Sequence, residues 1–173
     1  MLLSLAACGG NDEGGRPAPT ASTSTVPEAG RGSLVIGPDR LEFEVRTCTD
    51  EPAADDRPQA HRVFLMEGEG TVDGAPFAVQ AVRFEASGPG VQVFTVTETV
   101  QVTTGTPDDL RGIEAERSNV GDDWFDARDP DADGPLIEDR DDLVRAAGTF
   151  GPEGSTTGEP DVVEGRLIAH CPG

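Results

Sequence analysis

One acidic segment has residue types spaced as in a calcium-binding loop. Residues 129–134 read Asp-Pro-Asp-Ala-Asp-Gly, with carboxylates at the first, third and fifth positions and glycine at the sixth. Oxygens at these positions converge on a hard cation, and glycine permits the sharp turn. Position twelve, where a bidentate Glu should close the coordination shell, is Arg140. The pattern therefore predicts only the first half of such a site.

The calcium hypothesis has a defined set of ligands and a simple alternative. Its candidate ligands are Asp129, Asp131, Asp133, the Pro135 carbonyl, and Glu138, Asp139 or Asp141 in place of the missing Glu. The alternative is a solvated acidic loop, because residues 121–142 hold ten acids and only two arginines. No helices are predicted on either side of the segment, so an EF-hand is not expected.

Other catalytic patterns are sparse. The chain contains no G-x-S-x-G, H-E-x-x-H or P-loop motif, and His61 and His170 have no recognisable catalytic partner. A pair of carboxylates for glycoside cleavage stays open, since 33 acidic residues make chance pairs inevitable. No catalytic residue is predicted.

The first eight residues carry a localisation signal. Seven residues precede Cys8, too few for a transmembrane helix of about 20 residues. Leu5-Ala6-Ala7-Cys8 matches the lipobox of bacterial lipoproteins, in which the cysteine is diacylated and becomes the first residue after cleavage. We therefore expect residues 1–7 to be the end of a signal peptide that starts upstream of Met1. The alternative is a cytosolic protein with a free thiol.

The residues after Cys8 are typical of a flexible tether. Residues 9–32 are rich in Gly, Ser, Thr and Pro and contain one Val as their largest aliphatic side chain. Such a segment has nothing to pack, so we assign residues 8–32 to a lipidated tether and residues 33–173 to a folded domain. A flexible chain of this length reaches about 27 Å.

The remaining cysteines indicate an oxidising compartment. With Cys8 lipidated, Cys48 and Cys171 form an even pair, and outside the cytoplasm a disulfide is the simplest expectation. Cys48 has the polar parity of its predicted strand, so a bulge or the strand end must redirect it. Metal binding by His170 and Cys171 is the competing interpretation, but it lacks partner spacing such as C-x₂-C.

The charge of the chain excludes some partners. Thirteen arginines, no lysine and 33 acids give a net charge of −20. We therefore expect no nucleic-acid binding, and membrane contact only through a lipid anchor, because the alternatives need basic patches. Two or more acyl chains are enough for stable anchoring.

The folded part reads as strands. Residues 41, 43, 45 and 47 alternate with charged residues, and Asp73-Gly74 is a two-residue hairpin signal. Further strands are expected within residues 34–36, 61–72, 75–86, 91–104, 143–150 and 163–171. The pattern predicts one antiparallel β-sandwich or barrel-like domain with at most one short helix.

The single helix candidate begins at Thr106-Pro107. Thr106 is a possible N-cap with Pro at the first helical position, and Leu110, Ile113, Arg117 and Val120 would share a weakly apolar face. An irregular connection is the alternative at this position.

The complete layout resembles that of actinobacterial surface lipoproteins of the 19-kDa lipoprotein antigen type. The resemblance rests on the lipobox and the cysteine placement. It implies an extracytoplasmic, membrane-anchored protein and carries over no catalytic residue. The leading hypothesis is a non-enzymatic envelope domain that presents a binding surface to a macromolecular partner. A calcium-binding version and a carboxylate-pair hydrolase are the alternatives.

Overall fold

Every regular element of the structure is a β-strand. A computed structural model describes residues 26–52, 62–86, 95–106, 109–121 and 123–173. Within these ranges there is no helix, and hence none that is long and apolar enough to cross a membrane. The expected signal peptide, Cys8 and the tether as far as residue 25 lie outside the described residues, as does His61.

The ten strands follow one another with short connections along most of the chain. They are β1 (Arg31–Ile36), β2 (Asp39–Pro52), β3 (Arg62–Val72), β4 (Ala75–Ala86), β5 (Thr95–Thr106), β6 (Asp109–Val120), β7 (Asp123–Phe125), β8 (Ile137–Arg140), β9 (Leu143–Phe150) and β10 (Val163–His170). The first strand begins at Arg31, two residues before the predicted start of the domain.

These strands form one continuous antiparallel sheet that curls into a half-barrel. Its order is β7-β6-β5-β4-β3-β2-β1-β10-β9-β8. Two meanders, β1 to β7 and β8 to β10, are joined where β1 pairs with β10. The curl brings β6 to the end of β9, where Glu114 and Gly151 form one isolated bridge. The predicted single antiparallel domain is confirmed, in its barrel-like form.

The concave side of the sheet holds the core. Side chains alternate between the two faces of a strand, so residues opposite one another on paired strands share a face. The row Leu34, Leu41 and Leu167 faces inward across β1, β2 and β10. Other fully or almost fully buried residues on this side include Phe43, Met66, Val79, Val100, Val144 and Phe150.

The predicted disulfide is present and depends on a β-bulge. The register of β2 against β3 shifts between Val45 and Thr47, and this shift moves Cys48 opposite the buried Met66. Cys48 is bonded to Cys171, with a Cα–Cα distance of 5.7 Å and a sequence separation of 123. The bond joins the second strand to the residue after the last strand. Closing so long a loop stabilises the fold by about 5 kcal/mol on the chain-entropy estimate.

Tight turns fix the register of the hairpins. The predicted Asp73-Gly74 turn is confirmed, with φ of 52° and 80° between the paired residues Val72 and Ala75. Both residues are left-handed, as a two-residue hairpin turn of type I′ requires.

The helix predicted from Thr106 onwards is wrong, and so is the irregular connection. Residues 109–120 form β6, which pairs with β5 over its whole length. Ala115, Arg117 and Asn119 are buried at alternate positions, while Glu116 and Val120 are exposed. This is strand periodicity, but two of its three buried residues are polar. The sequence pattern therefore hid the strand.

The ring of Phe43 lies against two glycines of the neighbouring strands. Gly32 lies directly opposite Phe43 on the neighbouring strand, and a Cβ added to Gly32 would overlap the ring. A Cβ on Gly68 would lie 2.5 Å from the same ring. Two glycines therefore make room for one aromatic side chain that is 2% exposed.

We predict that Gly32→Ala destabilises the fold by about 1–3 kcal/mol, because the added Cβ would lie 2.3 Å from a carbon of the buried Phe43 ring. Gly112→Ala is the matched control, since a Cβ there meets its nearest atoms at an ordinary 3.8 Å. Urea unfolding followed by circular dichroism measures both. Equal stability of the two variants would contradict this packing.

Candidate functional site

The acidic segment identified in the sequence connects the two edges of the sheet. Residues 126–136, here called the strap, run from β7 at one edge to β8 at the other. Asp126, Arg128 and Leu136 are buried, whereas Asp131 and Asp133 are exposed. The strap is therefore a packed part of the domain.

The end of the strap is held by a buried carboxylate from β5. Glu98 is 0% exposed and faces inward between Val96 and Val100. Its Oε2 accepts hydrogen bonds from the backbone N–H groups of Leu136 and Ile137, at 2.5 and 3.2 Å. These donors lie at the start of β8, which has a strand partner on one side only.

Arg83 completes this closure from β4. It lies directly opposite Glu98, and its Nε donates to Glu98 Oε1 at 2.6 Å. Its two terminal nitrogens donate to the Ile137 carbonyl and to Asp139. Burial lowers the pKa of Arg83, but the hydrogen bonds to Glu98 and Asp139 raise that pKa by more, so the guanidinium stays charged.

Two further buried arginines hold the middle of the strap. Arg117 donates to the carbonyls of Gly134 and Pro135 at 3.0 and 3.4 Å, and it pairs with Asp126 at 3.5 Å. Arg128 donates to Ser155 Oγ at 3.0 Å and pairs with Glu114 at 3.2 Å. Each buried charge therefore has an opposite charge beside it, the condition under which charges are tolerated in a core.

The calcium-loop hypothesis gains no support from this geometry. Within the described part of the chain, no three His, Cys, Asp or Glu side chains are placed to hold a metal ion. The Pro135 carbonyl, assigned to the cation, accepts from Arg117 instead. The other proposed ligands do not converge: Asp129 is half-buried, Asp131, Asp133, Glu138 and Asp141 are exposed, and Asp139 pairs with Arg83. Two of the proposed ligands, the Pro135 carbonyl and Asp139, are thus bound by arginine side chains.

A pocket with apolar walls lies at one end of the half-barrel. This end, which we call the open end, carries the β1–β2 turn at residues 37–38 and the β3–β4 turn at residues 73–74. The pocket volume is about 360 Å³, within the range of small-molecule sites. Its aliphatic walls are Ile36, Leu41, Val72, Val102 and Ile113.

The rim of this pocket is charged and solvated. Asp39, Arg40, Asp73 and Arg111 line it, and all four are exposed. Arg40 pairs with Glu42 at 2.5 Å. For Asp39 and Asp73, no ion pair is formed with any residue that the structure describes. The pocket therefore combines an apolar interior with two carboxylates and two arginines at its entrance.

A larger groove on the outer face of the sheet has a different character. It measures about 620 Å³, and five exposed charged residues line it. Arg46 crosses it and pairs with Glu44 at 2.8 Å and with Glu69 at 2.6 Å. Because these charges satisfy one another in water, we place the candidate site in the apolar pocket.

The opposite end of the half-barrel is where the N-terminal segment joins the domain. β1 begins at Arg31 opposite His170, next to Cys171, and ends at Ile36 in the pocket wall. A strand of six residues spans roughly 17 Å. We call this the disulfide end. Anything attached at the N-terminus therefore enters the domain at the end opposite the pocket.

The histidine that the structure describes has a structural environment. His170 is half-buried in β10, and its Nδ1 lies 3.1 Å from the Pro27 carbonyl. Cys171 is in the disulfide, so the interpretation of the pair as metal ligands is wrong.

Sequence reasoning missed the five charged residues that organise the interior: Arg83, Glu98, Arg117, Asp126 and Arg128. One signal was available for Glu98, which occupies an inward position between Val96 and Val100. A charged residue on the apolar parity of a strand indicates a buried partner elsewhere in the fold.

Comparison of the chain with protein-family models, with curated proteins and with solved structures finds no match. The function of the chain is therefore inferred from the positions, burial and charges of its described residues.

We predict that Glu98→Gln destabilises the protein by about 1–3 kcal/mol. The change removes one of the two carboxylates that pair with Arg83, and it replaces a buried acceptor oxygen with an amide NH₂ group that cannot accept a hydrogen bond. Glu116→Gln, an exposed change on β6, is the control and should alter stability by less than about 0.5 kcal/mol. Urea unfolding measures both. A stability of Glu98→Gln within that margin would show that the buried carboxylate does not hold the strap.

We also predict that calcium leaves the thermal midpoint unchanged. A bound ion stabilises the folded state by RT ln(1 + [L]/Kd), so a real site would raise the midpoint in millimolar calcium relative to EDTA. Melting in each solution tests this, with magnesium as the control for ionic strength. A rise specific to calcium would restore the metal-loop interpretation.

Proposed function

We propose that the chain is a non-enzymatic lipoprotein of the cell envelope, anchored through Cys8, whose half-barrel binds a ligand in its open-end pocket. The observation that carries this proposal is the apolar pocket on the end of the domain away from the N-terminal attachment. An anchor at Cys8 would leave that pocket exposed to the surroundings. The proposal has three independent supports.

The first support is the disulfide. Disulfides persist in oxidising compartments and are rare in the cytoplasm. Cys48 and Cys171 are bonded, and the bond joins elements far apart in sequence. A fold that depends on such a bond suits a protein that leaves the cytoplasm, as the Leu5-Ala6-Ala7-Cys8 lipobox predicts.

The second support is the shape of the domain. Small β-barrels and related folds hold one small ligand when side chains do not fill the interior. Here the disulfide end and the middle are packed around Phe43, Met66 and Val100, while the open end retains a pocket. The packing therefore leaves a concave apolar site at the open end.

The third support concerns the alternative of a hydrolase with a carboxylate pair. A general acid of that kind needs a desolvated carboxyl group. The buried Glu98 and Asp126 are occupied by hydrogen bonds to the strap, and the pocket carboxylates Asp39 and Asp73 are exposed. The arrangement favours binding over acid–base catalysis.

The lipid anchor is tested by intact mass and fractionation in the native host. We expect a mature species that lacks residues 1–7, carries acyl chains on Cys8 and sediments with membranes. Cys8→Ala should move the protein to the soluble fraction, whereas Cys48→Ala should stay with the membranes. An unacylated species that still begins at Met1 would rule out the anchor.

The oxidised state is tested by titrating thiols in unfolded, non-reduced Cys8→Ala protein purified from the native host. We expect no reactive thiol. Two reactive thiols per chain would mean that Cys48 and Cys171 are reduced where the protein works, and the extracytoplasmic assignment would fail.

A further inference from the structure

The chemistry of the open-end pocket restricts the class of ligand. Its walls carry the aliphatic side chains of Ile36, Leu41, Val72, Val102 and Ile113, which offer no hydrogen bond and favour an apolar body. Its volume of about 360 Å³ limits that body to a single chain or small ring system.

The rim decides the charge of the ligand. Asp39 starts β2 opposite Ile36, and Asp73 occupies the first position of the β3–β4 turn, so both carboxylates stand at the pocket entrance. Arg40 pairs with Glu42 at 2.5 Å. The other rim arginine, Arg111, also has a partner. Because Asp39 and Asp73 have no ion pair within the described ranges, they are available to a positive group.

The net charge of the whole protein also favours a cationic ligand. A net charge of −20 attracts cations and repels anionic amphiphiles such as fatty acids. We infer that the open-end pocket binds a small cationic amphiphile, with its apolar body among the aliphatic walls and its ammonium group between Asp39 and Asp73. This inference rests on the binding role proposed above and gives it a ligand class.

Three probes share an eight-carbon tail and differ in the charge of the head group: octylammonium, 1-octanol and octanoate. Comparing them separates the contribution of the tail to affinity from that of the head group. Calorimetric titration into the full chain carrying Cys8→Ala, in solution, measures each affinity. We expect octylammonium to bind about tenfold more tightly than octanoate, with octanol between them, since each exposed charge pair contributes modestly.

Two sets of variants assign the effect to the pocket. Asp39→Asn with Asp73→Asn should bring octylammonium to within about twofold of octanol and leave octanol unchanged. Asn tolerates the left-handed conformation at position 73, so the turn is kept. Glu153→Gln, an exposed change in the β9–β10 connection, controls for net charge and should have no effect.

Filling the pocket should remove binding of all three probes. Val72→Trp places a large side chain at a half-buried wall position, and Ile113→Phe does the same from β6 if the first variant does not fold. Octanoate binding as tightly as octylammonium, no saturable binding of any probe, or binding unaffected by the folded pocket-filling variants would each overturn the inference. These titrations do not require the lipid anchor. A negative titration would therefore leave the proposed membrane anchor untouched, and evidence against the anchor would not affect the titration result.

Discussion

The structure depends on the way in which the incomplete barrel is closed. An antiparallel edge strand presents unpaired backbone groups, and in β8 these include the N–H and carbonyl of Ile137. No neighbouring strand reaches them. Glu98 accepts from the N–H, and Arg83 donates to the carbonyl. Two paired side chains thus take the place of a strand, and they do so inside the protein, where an unsatisfied polar group is costly.

The same closure explains the character of the acidic segment. The strap has no regular structure of its own and is fixed by Glu98 on β5, by Arg117 on β6 and by Arg128 within the strap itself. Three of the 13 arginines of this very acidic chain are thereby committed to the interior. A charge-rich surface loop and a structural closure are indistinguishable in composition, because both are rich in Asp and Gly. They differ only in the residues that pack against them.

Local patterns predicted the parts of the fold whose physics is local. Two predictions rest on neighbouring residues, namely the alternation through residues 41–47 and the Asp73-Gly74 turn. A third, the pairing of two cysteines, rests on elimination. All three are confirmed. The strand β6 was missed because its inward positions include Arg117 and Asn119. The burial of Arg117 is explained only by its contacts with the strap. Glu98 bonds to a residue 38 positions away. The open-end pocket likewise joins walls from five strands, so no segment of sequence carries its signature.

The domain thus has two distinct parts. Buried charged side chains hold the strap, and aliphatic side chains form the pocket at the open end. Native-state hydrogen exchange tests this most directly. If Glu98 and Arg83 act as the missing strand, the amides of Leu136 and Ile137 exchange only on global unfolding, as slowly as that of Val100 in the middle of the sheet. Exchange of these two amides at the rate of an exposed loop, with Val100 still protected, would contradict the account.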